Sequence, residues 1–430
     1  MLMTQDALDH LAREQKPLPA GVYPGWWVTA AAASGQLIQG GFVFWSMGLY
    51  TATFEDYFGA PRAQINLIET CLTVATNLLS PMAGILIDRW SIRHLMMIGL
   101  ASLGFGLLLL SQAGTLFHVW AVWASLIPLG VLPIGAIPSA ALISRWFIRR
   151  RGLALGLSAT GSSIGGFVVP PLMTWMFLEW DWRAALMVAS GICFAVLPVF
   201  YFFLKNKPAD LGLEGEPGEF AGAAKHHPLA NADQQDWRIP NLLRSSVFWT
   251  QTLVSGTLLA VTLGMLANLS LHAKDLGITG QATAVLYSII AVCSFCGKGL
   301  AGYLMDRLGI QRCGYLICSF LGMGLLILFL EKSYTGLVAG ALVMGIGYGG
   351  VVPLWTNMPA RVFGAGSVGR ALGVMNPLHI PITATSAPLA GWISDTTGSY
   401  DGVFWMYGGC CIVAAVGLTI MGRVLSASSS

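Results

Sequence analysis

Charge is what this sequence has least of. Only 10% of its 430 residues are Asp, Glu, Lys or Arg, against roughly 25% in an ordinary soluble domain. So few charges cannot solvate a water-exposed surface of this size, which excludes a soluble multidomain protein. The 23 basic and 20 acidic residues leave a formal net charge of +3, too small and too dispersed for nucleic-acid binding. No GxxxxGK[ST] phosphate loop occurs, so nothing suggests ATP-driven pumping. Neither a nucleophile–base pair nor a metal constellation is present; an enzyme is not expected, and no cofactor or metal is implied. Eight cysteines occur, all in or beside apolar runs. Cys293 and Cys296 form a lone CxxC in an apolar segment, whereas a structural zinc site needs four ligands. The stretch to Gly21 carries Asp6, Asp9, Arg13, Glu14 and Lys16 without the apolar core of a signal peptide, as expected of a cytoplasmic tail.

What the sequence has in abundance is apolar residues: 55% of the chain is hydrophobic and the mean hydropathy is +0.68. At about 20 residues per span, the chain holds about twelve transmembrane helices. The hydropathy places them at 24–52, 64–87, 94–112, 117–142, 152–177, 183–204, 246–272, 281–305, 313–330, 336–360, 370–393 and 403–424. The fold expected is an all-α polytopic membrane protein with two pseudo-symmetric six-helix bundles, residues 24–204 and 246–424. Tails at 1–23 and 425–430 flank them. Residues 205–245, which include Glu214-Gly215-Glu216-Pro217-Gly218-Glu219 and His226-His227-Pro228, read as a cytoplasmic linker too polar to fold alone. With both termini inside, 18 of the 23 Lys and Arg are cytoplasmic. Arg62, Arg183, Lys274 and Lys332 lie outside, and Lys298 lies within a span. Positive charge is retained on the cytoplasmic side, so a multi-pass protein of the plasma (inner) membrane with cytoplasmic termini is expected.

The halves repeat. Gly84-x-x-x-Asp88-Arg89 recurs as Gly302-x-x-x-Asp306-Arg307, 218 residues on, and Ala154-Leu155-Gly156 recurs as Ala371-Leu372-Gly373, 217 residues on. Two motifs at nearly one offset indicate a duplicated unit, the architecture of secondary transporters with parallel halves.

At these motifs the chain resembles the major facilitator superfamily. Gly84 to Arg89 followed by Arg93 is similar to that family's loop 2–3 signature, and the loop 8–9 copy ends in Arg312. Three finer features resemble the monocarboxylate transporter and oxalate/formate exchanger branch. They are Gly25-Trp26-Trp27-Val28, Trp146-Phe147-x-x-Arg150-Arg151-Gly152-x-Ala154-x-Gly156 and Gly391-Trp392-Ile393-x-Asp395-x-x-Gly398-Ser399-Tyr400. The resemblance implies a gating role for Asp88, Arg89, Arg93, Asp306 and Arg307, which latch the outward-facing state. Independently, Asp88 at a helix end can accept hydrogen bonds from a neighbouring helix N-terminus, although such residues also serve simply to fix topology. Gly161 to Gly166 and Gly345 to Gly350 allow close helix packing.

A charge deep in the bilayer is costly and marks function. Lys298 lies eight residues before Asp306, about 12 Å along the helix, near the midplane. His379 lies nine residues after Arg370, about 14 Å in, at a similar depth. Glu69, nineteen residues before Asp88 and about 28 Å away, falls near the outer surface. A lone buried ammonium must find an anion, deprotonate or reach water, and a substrate carboxylate is the simplest partner. The resemblance places Lys298 where the branch has a substrate-binding arginine and His379 where the exchangers have a lysine. Lys loses the bidentate fork, and His makes one charge conditional on pH. One cation plus a titratable imidazole favours a monoanion carried with a proton. Asn376, on the face of His379 and followed by Pro377, is a further substrate-binding candidate, as are Tyr348, which resembles a pore aromatic, and Gln36 and Gln39. His379 and, second, Glu69 are the expected proton carriers. The function expected is secondary transport of a small organic monocarboxylate by a monomer in the lipid bilayer, with proton symport favoured over anion exchange; a non-transporting sensor is the third reading.

Overall fold

A computed structural model describes residues 23–147, 150–213, 239–363 and 368–428. The side chains of Asp88, Arg89, Arg151, Asp306, Arg361 and Arg370, and the surroundings of Gly84, lie outside that description. Among the described residues the chain is helical, with no strand. In chain order the α-helices are α1 (Gly25–Gln39), α2 (Met47–Phe58), α3 (Arg62–Ile65), α4 (Leu67–Arg89), α5 (Ile92–Ser111), α6 (Leu116–Ala124), α7 (Leu126–Ile134), α8 (Ala136–Trp146), α9 (Arg151–Glu179) and α10 (Trp182–Phe203). The second half comprises α11 (Ile239–Arg244), α12 (Ser246–Asp275), α13 (Gly280–Leu308), α14 (Ile310–Leu330), α15 (Tyr334–Phe363), α16 (Val368–Thr397) and α17 (Asp401–Ser428). Nine helical stretches among the described residues are long and apolar enough to cross a bilayer. The helices of residues 25–58, 67–89 and 368–397 fall where the first, second and eleventh spans were expected. Large apolar side chains such as Phe105, Leu178, Phe202, Leu330 and Ile412 stand outward. That surface suits lipid and would aggregate in water. The chain is a polytopic all-α membrane protein.

Local chemistry sets where the helices start, bend and stop. Ser91, Thr115 and Thr279 cap α5, α6 and α13 by accepting the N–H three residues on, each at 3.4 Å. The expected single span 117–142 is broken into α6, α7 and α8. Pro128 and Pro133 lack an N–H and release the carbonyls four residues earlier, and Ser125 between α6 and α7 leaves helical geometry with ψ −81°. Between α1 and α2 the chain makes a π-helical turn, Gly40–Trp45. At the far end, α17 runs on to Ser428, beyond the expected end of the last span. Of the expected linker, 214–238 lies outside the described residues; Pro208–Leu211 form a 3₁₀ turn and 239–244 form α11.

The buried apolar residues form two large cores, one running from Val28 to Leu204 and one from Val247 to Met421. Trp45 belongs to the second core although it lies in the first half. The cores meet at the end of the molecule that carries Arg62. There Asn66 donates from Nδ2 to Asn268 Oδ1 at 2.8 Å and to Ala387 O at 2.9 Å. Thr70 fills the Ala384 carbonyl at 2.5 Å, an acceptor that Pro388, lacking an N–H, leaves free. Thr51 donates to Ala267 O at 2.8 Å. Above this layer Arg62 donates from Nε to Glu55 at 2.7 Å and from both terminal nitrogens to Asp275 at 2.5 and 2.6 Å. Lys274 binds Glu55 at 2.8 Å and also Asp56, and Asp395 accepts the Ala63 N–H at 3.1 Å.

Gly391 makes that closure possible. A Cβ there would lie 2.8 Å from the Ala63 nitrogen, the Arg62 carbonyl carbon and Asn66 Nδ2; the first two are backbone atoms, which cannot swing aside. Gly391→Ala is therefore expected to prise the Arg62 end open. A cysteine at Thr70 should then react with a membrane-impermeant thiol reagent faster than in the parent; an unchanged rate would show that the interface absorbs the methyl group.

Candidate functional site

Small residues on α9 build the site. A Cβ on Gly161 or Gly165 would strike the backbone of α1 at Ala33 O or Leu37 O, so α1 and α9 cross in backbone contact. Gly166, one turn after Ser163, lies against the Trp45 indole. In the second half Gly349 lies against Ser294 O and the Lys298 nitrogen, which seats α15 on α13. These contacts bring four side chains from both halves together. Lys298 Nζ donates to Ser163 Oγ at 3.1 Å, and the Trp45 and Tyr348 rings lie 5.3 Å apart at 41°. Lys298 is half-buried, and among the described residues no carboxylate pairs with it. An ammonium between two halves, bonded to a neutral hydroxyl on the helix that also packs Trp45, is suited to a small anion.

The other candidates separate. His379, 2% exposed, points into its own half: Nε2 lies 3.0 Å from Ser255 Oγ of α12, and the ring fits where Gly256 has no side chain. Asn376 does not share that face. It donates to Ser80 Oγ of α4 at 3.3 Å, and its Oδ1 is buried without a partner. Three residues advance a helix by about 300°, leaving about 60° between the two, enough to face different neighbours. Gln36 donates to Ser158 Oγ of α9 at 2.7 Å. Gln39 sits beside Gly135, with Oε1 buried and unpartnered. Glu69, expected near the outer membrane surface, is 2% exposed; it lies near the Arg62 end of α4 and is covered by α16 at Ala387.

Of the gating residues, Arg93 stacks its guanidinium 4.4 Å from the Tyr201 ring. Its backbone N–H donates to Asn206 Oδ1 at 3.0 Å. Arg307 lies 5.1 Å from the Tyr303 ring. Asp88, Arg89 and Asp306 have side chains outside the described residues. Each of these contacts stays within one half. At this end Gly156, Gly302 and Gly373, three of the four glycines of the two repeated motifs, face no described neighbour: a Cβ would meet nothing within 4 Å. Among the described residues the halves are joined by ion pairs at the Arg62 end, whereas a side chain at these three glycines would meet no neighbour.

Sequence reasoning misses Trp45 and Ser163. In the string Trp45 is one more aromatic in an apolar span, and Ser163 is part of a small-residue packing run. Only the proximity of Gly166 to one and of Lys298 to the other gives them a role. Arg62, likewise, stands in the sequence as an external charge and nothing more.

Residues 32–379 match the family model of the Major Facilitator Superfamily. Monocarboxylate transporter 12 of Mus musculus is 26% identical over 390 residues, covering 86% of this chain and 80% of that protein. Monocarboxylate transporter 13 of Bos taurus is 26% identical over 406 residues, covering 92% and 88%. Monocarboxylate transporter 11 of Homo sapiens is 27% identical over 406 residues, covering 91% and 82%.

Proposed function

The chain belongs to the Major Facilitator Superfamily and is a membrane transporter rather than an enzyme; from that premise we propose that it moves a small organic monocarboxylate together with a proton. The observation that carries the substrate class is Lys298, a cation at the boundary of the halves with a hydroxyl for a partner and, among the described residues, no carboxylate. Binding a carboxylate there supplies the missing counter-charge, while Trp45 and Tyr348 pack its carbon skeleton. On this reading the chain has twelve spans in two bundles, 24–204 and 246–424, and both termini are cytoplasmic, as the asymmetry of its basic residues requires. The Arg62 end then faces outward and is closed. The substrate leaves from the opposite end as the halves rock about the Lys298 layer. Asp88, Arg89, Arg93, Asp306 and Arg307 latch that opposite end in the alternate state. Asn376, Gln36 and Gln39 line the path or hold its helices.

Counterflow in proteoliposomes tests this, with labelled lactate, pyruvate, oxalate, tartrate and aromatic acids and with pH and voltage varied. Accumulation of a monocarboxylate on an inside-alkaline gradient is expected. Uptake that demands a counter-anion and ignores the gradient would make the protein an exchanger, and a complete absence of label exchange would make it a sensor.

The proton requires a titratable group, and His379 and Glu69 are the candidates. His379→Gln is expected to keep gradient-driven accumulation. The amide can still bond Ser255, and the imidazole sits within one half rather than between the two. Loss of accumulation with exchange retained would instead give the proton to His379.

A further inference from the structure

Glu69, the one carboxyl of α4 among the described side chains, faces the second half from within the closed layer. It is 2% exposed. Its Oε1 accepts a long 3.4 Å bond from Thr73, and its Oε2 is buried with no hydrogen-bond partner. The Ala387 backbone of α16 is the other polar group that reaches it. A carboxylate so enclosed, with no cation and one bare oxygen, is costly; the same group carrying a proton is neutral and fits. When the halves part at this end, α16 withdraws and water can reach the carboxyl, so its ionised form is stabilised.

The charged and titratable groups around it do not remove this cost. On α3, Arg62 is committed to Glu55 and Asp275. On α12, His272 lies edge-on to Tyr400 and Phe404. Tyr407 of α17 and Tyr400, just before that helix, present hydroxyls, which bond Ser386 and Asn268. On α16, His379 faces α12, and Asp395 holds the Ala63 N–H. His118 of α6 is exposed, and Cys71 on α4 itself is a neutral thiol. None is a cation bonded to the carboxyl.

We infer that Glu69 is a proton-binding site that must be filled before the Arg62 end can close. The inference deepens the proton-coupled reading above and rests on it for its place in transport. Linkage sets the sign: the closed state binds one more proton than the open state, so acid favours closure and alkali favours opening. The closed-to-open ratio changes by up to about tenfold per pH unit while the two states differ in protonation.

The test is double electron–electron resonance on the full chain in nanodiscs, with bio-orthogonal spin labels at Gln112 and Gln281, one on each half at the Arg62 end. The parent should gain a longer-distance population as pH rises from about 5 to about 9, a range wide enough for a buried carboxyl. Glu69→Gln imitates the protonated acid; it should remain in the short-distance state at every pH. Glu69→Asp, which still titrates, should keep a pH-dependent opening. A Gln variant that follows the parent, or a parent that does not respond to pH, overturns the inference. Gradient-driven accumulation is measured separately on the parent. Its failure beside an intact Glu69-dependent response would sink the symport reading and leave the proton site standing.

Discussion

Lys298→Ala is expected to weaken carboxylate binding by roughly 30-fold or more, because truncating one partner of a buried, hydrogen-bonded charge pair costs about 2–5 kcal/mol. The loss should appear in equilibrium affinity measured on purified protein, with membrane insertion unchanged. Among the described residues no other cation bonds Ser163, and the ammonium has no carboxylate partner of its own. Lys298→Arg should retain binding. It preserves the charge and restores the residue the branch uses, although the guanidinium fork must find room where α15 packs on α13 at Gly349. Lys298→Gln, a donor of similar reach with no charge, separates the charge from its hydrogen bond. Full affinity in the Ala or Gln variant would move the substrate elsewhere.

Removing Arg62 should have the second largest effect, on conformation rather than on affinity. The guanidinium joins Glu55 of the first half to Asp275 of the second, and it also donates to Ser394 at 3.1 Å. These bonds, above all those from Asp275, hold its pKa above the ordinary arginine value, so it is charged at every physiological pH. In Arg62→Ala, Glu55 and Asp275 are left near each other with Lys274 as the remaining cation. Charge-assisted hydrogen bonds contribute about 1.5–3 kcal/mol each when well shielded. Asp275 is 36% exposed and Glu55 19%, so solvent screening reduces that. A shift of at least about tenfold toward the open state is expected, which is about 1.4 kcal/mol. It should be visible as faster labelling of a cysteine at Thr70 and as slower turnover with little change in substrate affinity. High salt should reproduce part of the effect in the parent, since the layer is partly exposed. Equal labelling rates in parent and variant would mean that the neutral layer of Asn66, Thr70 and Asn268 seals this end alone.

The two predictions address different kinds of residue, and they differ in how far each could be found without coordinates. Lys298 is legible in the string because a charge in an apolar run is costly in any packing. Arg62 is not, because its partners in the second half lie 213 and 332 residues away in sequence. Trp45 falls between these cases: the π-helical turn Gly40–Trp45 adds a residue to the turn and rotates the indole relative to α1. No apolar periodicity announces such a turn.

Solvent preference and repetition are written into the amino-acid string alone. Scarce charge required a membrane, the distribution of arginines and lysines pointed to an orientation, and the recurrence of Gly84 to Asp88 as Gly302 to Asp306 pointed to duplication. Each depends on composition or on spacing along one segment, and so survives ignorance of how helices pack. Which groups face one another emerged only when the helices came together. Packing turned His379 toward Ser255 and Asn376 toward Ser80, buried Glu69 beneath the Arg62 layer, and set Lys298 on Ser163. A side chain's partner depends on helix rotation and on the distance of approach. Here both are set by single glycines such as Gly349 and Gly391 meeting the backbone of a helix that is remote in sequence.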